Sequence, residues 1–309
     1  MSVVSAKILE ASFLAVPVMF AVAAAGRAWR AKRAVKADET AAAPPVPVGE
    51  SAASGPAPAA KPPVLPATPG VAAGFFRPLD LLWMGFLFLT FFSMAMGAAR
   101  QTEPIDVTRI QPHMLLQSIG FWFVLAGVTV LVVVARRVRV AAWLGLRWRG
   151  WPHVLWIAPA AVAAMWTLLI ALKLGGYMEW MESLGGETAQ DTVRFLQSSQ
   201  DPLGLGLMAF AAVIVAPICE ETVFRGYLYA AAKRFAGPGA AAVCSALLFA
   251  VAHGQLATLL PLFVLGLLLV WLYERTGSLW APVAVHFCFN GATVLLQAIA
   301  RLYHLPIDP

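Results

Sequence analysis

The stretch LGLMAFAAVIVAPICEETVFRGYLYAAAKRF, residues 205–235, decides how the rest of the chain is read. It is apolar and long enough to cross a bilayer, which takes about 20 residues of helix. Yet it holds Glu220, Glu221 and Arg225 near its middle. A charge at bilayer depth costs at least ~2.5–3.5 kcal/mol on insertion scales, so such a residue needs a partner or a task. Glu221 and Arg225 are four apart, share a helix face and can pair. That pairing gives Glu221 a structural role. Glu220 is turned about 100° round the helix, with no basic residue three or four positions later. Its partner must come from another helix.

Composition agrees with a membrane. The 309 residues are 60% hydrophobic and 12% charged, and mean hydropathy is +0.76. A soluble domain is about half apolar and about a quarter charged. The net charge of +6 follows the flanks of apolar segments rather than any nucleic-acid motif, so no nucleic-acid partner is expected. Cys219, Cys244 and Cys288 all sit in apolar stretches, without CxxC or metal-ligand spacing. Neither a disulfide framework nor a zinc cluster is expected from them.

Apolar length predicts an all-α, polytopic integral membrane helical bundle of about eight transmembrane helices. The expected spans are 9–26, 79–99, 114–135, 152–172, 204–232, 239–253, 257–274 and 279–300. The sixth is short. Lys7 alone precedes the first span, whereas Arg27, Arg30, Lys32 and Arg33 follow it. This charge order argues against a cleaved signal peptide and puts the N-terminus outside. With that orientation, fifteen basic residues lie on the cytoplasmic side: Arg27, Arg30, Lys32, Arg33, Lys36, Lys61, Arg77, Arg136, Arg137, Arg139, Arg147, Arg149, Lys233, Arg234 and Arg275. Six lie opposite: Lys7, Arg100, Arg109, Lys173, Arg194 and Arg301, and Arg225 within a span completes the total of 22.

These patterns divide the chain into an N-terminal membrane anchor, 1–36; an Ala/Pro-rich cytoplasmic linker, 37–76; accessory transmembrane helices, 77–202; a transmembrane core holding the charged span, 203–300; and a tail, 301–309. The linker has no helical or strand period and reads as a semi-extended tether separating the first span from the rest. Segment 174–201 is expected outside, with a short amphipathic helix whose Met178, Trp180 and Met181 dip into the interface.

Five histidines remain to be placed. His113, His153 and His304 fall at span ends or in the tail and read as interfacial. His253 closes LLFAVAHG, and His286 opens HFCFN. Asn290, the sole asparagine, follows one turn after His286, so the two share a helix face. Counting from the basic flanks, Glu220 lies ~20 Å in, His253 ~21 Å and His286 ~10–18 Å at 1.5 Å per residue. Three polar groups from three helices can therefore meet at one depth. A carboxylate base, a histidine sharing its water, and neutral N–H donors for an oxyanion are what peptide hydrolysis requires.

The same residues carry a resemblance. EExxxR followed by FRG, then FxxxH from Phe249 to His253, then ERTGSLWAPVAVHFCFN resembles the CPBP family (CAAX protease and bacteriocin-processing, or Abi) of intramembrane glutamate endopeptidases. The resemblance spans about residues 203–300. It implies that Glu220 and His253 activate a water, that His286 and Asn290 stabilise an oxyanion, and that Glu221 and Arg225 support them. It implies no cofactor and no metal. The implied partners are the bilayer and a membrane-associated or lipidated protein or peptide substrate, with processing near a CAAX-type C-terminus or of a bacteriocin-like peptide. The expected location is a bacterial inner (cytoplasmic) membrane.

Two other readings stay open at this level. Glu220, His253 and His286 could be the ligands of a zinc-dependent intramembrane metalloprotease, since two histidines and a carboxylate are a catalytic zinc set, although HExxH is absent. A non-catalytic scaffold or transporter would also carry ionisable groups in broken spans, although no inverted repeat is visible in the hydropathy.

Overall fold

A computed structural model describes residues 2–41, 70–99, 106–148, 150–186 and 191–303. The described residues form helices, turns and no strand. The long elements are α1 (Val3–Ala41), α2 (Asp80–Ala99) and α3 (Pro112–Val134). After the short α4 (Val140–Trp143) come α5 (Val154–Leu174), α6 (Tyr177–Ser183) and α7 (Asp191–Ser198). The core follows as α8 (Pro202–Ala236), α9 (Pro238–Ala252), α10 (Leu259–Thr276) and α11 (Trp280–Leu302). Seven helices are long and apolar enough to cross a membrane, and α9 is a shorter apolar helix. Together they give the multi-pass helical bundle expected, with the predicted short sixth span at α9. Leu82, Leu89, Val124, Leu131, Leu155 and Leu295 remain exposed, as lipid-facing side chains do when the solvent is hydrocarbon.

Two sequence expectations need correction. α1 continues to Ala41, into the stretch read as linker from residue 37, because Ala, Lys and Glu there favour helix until the prolines begin. It also does not stand apart from the bundle: Leu9, Phe13 and Val16 are buried in the main core, with Cys244 of α9 aimed at the Val16 carbonyl. The rest of the linker call, 42–69, lies outside the described residues, as does His304. The described residues of segment 174–201 include two short helices, α6 and α7, rather than one. Met181 and Met178 pack on Leu256 and Ala257 instead of entering lipid, and Trp180 alone of the three is exposed.

The two ends of the bundle sort as the basic flanks require. At one end Arg136 and Tyr227 converge on buried Asp80, Lys233 and Tyr229 hold Glu274, and Leu279 N–H donates to the Leu144 carbonyl at 2.8 Å. Gly145 touches Gly277 here. A Cβ at Gly145 would lie 1.7 Å from the Gly277 carbonyl oxygen, and its φ of +61° favours glycine as well. At the other end Ser5 donates to the Leu184 carbonyl, and Arg301 reaches the carbonyls of Leu196 and Ser199.

α8 is continuous but not uniform. Residues Ala211–Val215 and Glu221–Tyr229 are π-helical. The wider ladder leaves carbonyls to outside donors, as expected where a π segment occurs in a membrane helix. Asn290 Nδ2 takes the Ala212 carbonyl at 2.8 Å, Ser245 Oγ the Phe224 carbonyl at 3.1 Å, and Trp143 Nε1 the Gly226 carbonyl at 2.8 Å. Side chains from three other elements thus stitch α8 into the bundle.

Candidate active site

The π segment beginning at Glu221 brings both glutamates toward α11. In a regular helix neighbours diverge by about 100°. Here the adjacent carboxylates approach the two nitrogens of one imidazole. His286 Nδ1 lies 2.9 Å from Glu221 Oε1, and His286 Nε2 lies 4.0 Å from Glu220 Oε2. The first is a hydrogen bond. The second exceeds hydrogen-bond length, and one water can bridge it.

Glu221 also makes the ion pair expected from its spacing. Arg225 Nη1 is 2.9 Å from Glu221 Oε1, and both side chains are 0% exposed. Arg225 lies 4.2 Å over the Phe249 ring and reaches the Gly266 carbonyl at 3.4 Å. Both contacts favour a cation held out of water. Gly266 permits this because α9 and α10 touch there: a Cβ would meet Ala246 at 2.9 Å.

Glu220 is 7% exposed, and its Oε2 has no hydrogen-bond partner among the described residues. It faces a cavity of about 260 Å³ that His253, His286 and Asn290 also line. His253 caps the end of α9, with Nδ1 2.8 Å from the Phe249 carbonyl. A carbonyl only accepts, so Nδ1 carries the proton and Nε2 presents a lone pair. His286 is fixed similarly: Nδ1–H donates to Glu221, and Nε2 donates only when the ring is imidazolium. The six residues singled out from the sequence therefore come together in one place. Among the described residues, no three His, Cys, Asp or Glu side chains form a group that could hold a metal ion. Cys219 is buried against Ile119 and Val215.

Three features were missed in the sequence. The Glu221–His286 bond was invisible because helical spacing reveals only partners on the same helix. Asn290 was read as a free donor, but one of its two amide hydrogens is committed to Ala212. Phe249 was read as part of a motif; it also lies under Arg225 and meets the rings of His253 and His286 edge-on, with centroids 4.9 and 5.9 Å away.

Comparison with known proteins adds to this geometry. Residues 202–292 match the family described as Type II CAAX prenyl endopeptidase Rce1-like. The chain is 28% identical over 188 residues to the candidate membrane peptidase YdiL of Bacillus subtilis (strain 168), covering 59% of this chain and 74% of that one. No solved structure matches significantly. The matched segment contains Glu220, Glu221, Arg225, His253, His286 and Asn290 in order, and over it the chain is similar to the Rce1-like CAAX endopeptidases of the CPBP family.

Proposed function

We propose that this multi-pass membrane protein is an intramembrane glutamate endopeptidase of the CAAX type. The observation that carries the reading is the Glu220 carboxylate: buried, with no hydrogen-bond partner at Oε2 among the described residues, and facing the cavity that His253, His286 and Asn290 line. In this mechanism a water lies between Glu220 and the His253 Nε2 lone pair. Glu220 takes its proton as the oxygen attacks the peptide carbonyl. The oxyanion is received by the second amide hydrogen of Asn290 and by Nε2–H of His286 as imidazolium. Glu221 steadies that imidazolium through Nδ1, and Arg225 holds Glu221. Collapse of the tetrahedral intermediate breaks the C–N bond, and Glu220 returns the proton to the leaving amine. Water-excluded surroundings strengthen each of these interactions.

The substrate in this reading is a membrane-associated or lipidated protein or peptide. Residues 203–300 act as the catalytic core, and the location is the inner membrane of a bacterium. The test uses purified protein and a quenched-fluorescent peptide panel, supplemented by terminal-peptide mapping of membranes from cells expressing wild type or Glu220→Gln. Cleavage is expected from wild type, undiminished by a strong chelator, and absent from a folded Glu220→Gln variant. Chelator-sensitive cleavage restored by zinc would favour the metalloprotease reading instead.

A further inference from the structure

The cavity is not centred in the bundle. From Glu220 and His286 it extends past Thr293 and Val294 of α11 and Ser118 of α3 to Thr192, Val193 and Leu196 of α7. α7 lies across this end. Phe195 and Leu196 are buried, and Gln197 Nε2 donates to Gln297 Oε1 at 2.9 Å. Arg301 ties the following turn to α11 through the Leu196 and Ser199 carbonyls and Gln200 Oε1.

The way toward the opposite end is filled. Arg225, Tyr227, Tyr229, Phe249 and Tyr273 are all fully buried there, and Trp143 closes on the Gly226 carbonyl. Among the described residues that filled end carries thirteen basic residues, Arg27, Arg77, Arg136, Arg147, Lys233 and Arg275 among them, against five at the α7 end. Basic excess marks the cytoplasmic side.

Resting on the endopeptidase reading above, we propose that the scissile bond reaches Glu220 from the extracytoplasmic side, past α7. The substrate class is then a membrane-anchored or membrane-inserted polypeptide cut near its outer-leaflet end. Ile119, Trp122, Leu262, Leu265 and Phe289 line the cavity and suit apolar side chains flanking the cleaved bond.

The test is thiol accessibility in oriented vesicles, with Cys219, Cys244 and Cys288 replaced by alanine. Thr293→Cys reports on the cavity, and Arg147→Cys reports on the basic end. A charged, membrane-impermeant maleimide is added to right-side-out and to inside-out vesicles, and labelling is read as a mass shift. Labelling of Thr293→Cys in right-side-out vesicles only, with Arg147→Cys labelled in inside-out vesicles only, is the expected result. Labelling of Thr293→Cys from the basic side, or from neither side, overturns the proposal. Glu220-dependent cleavage in detergent is scored separately, so loss of the protease reading and loss of the sidedness are distinguishable.

Discussion

Replacing Glu221 by Gln keeps the side chain's shape and removes its charge, which makes it the sharpest probe of the site. Two donors lose a charged acceptor together: Arg225 Nη1 and His286 Nδ1, each 2.9 Å from Glu221 Oε1. Breaking a buried ion pair by removing one member costs ~3–5 kcal/mol, because the other charge stays uncompensated. Arg225 keeps its place over Phe249 and its contact with the Gly266 carbonyl, which argues for the lower half of that range. Weakening the charge-assisted bond to His286 adds ~1 kcal/mol. Glu221→Gln should therefore destabilise the protein by about 4 kcal/mol. The double variant Glu221→Gln/Arg225→Met removes both charges and should recover at least ~2 kcal/mol of the loss as coupling between the two sites. Activity should not follow stability. With His286 no longer held by a carboxylate, the double variant should cleave ~10²–10³-fold more slowly, as for loss of one oxyanion donor. Denaturation and peptide cleavage would be followed in the same detergent. A double variant that regains both stability and cleavage would refute the reasoning, because Glu221 would then only brace the helix. A stable single variant would refute the buried-pair energetics.

Other substitutions test separate parts of the argument. Asn290→Ala should lower kcat by ~10²–10³ through loss of an oxyanion donor; a normal rate would leave Asn290 with only its bond to Ala212. Gly266→Ala adds a methyl where Ala246 lies 2.9 Å away, so α9 and α10 should separate and the melting transition should show a loss of ~1–3 kcal/mol. Trp143→Phe leaves the buried Gly226 carbonyl without its indole donor, and a loss of ~1–3 kcal/mol is expected by the same measurement. An unchanged melting curve would show that the carbonyl finds another partner.

The sequence by itself determined the solvent, a bundle of about eight apolar helices and the identity of the clustered residues. Apolar run length decides whether a helix spans, and flanking basic residues decide its direction, so both are local properties. The Glu221–Arg225 pair was legible because both partners sit on one helix at fixed spacing. Only the tertiary structure decided which residue faces which across helices. It gave Glu221 a second task at His286, committed half of the Asn290 amide to Ala212, and moved Met181 from the lipid interface into a protein contact. It also revealed the π-helical stretches of α8, which no side-chain period announces. The physical reason is common to all of these. Hydropathy and spacing fix what a helix must bury and roughly how deep, whereas rotation about its axis and the widening of its ladder are set by the neighbours that satisfy its freed carbonyls and buried charges.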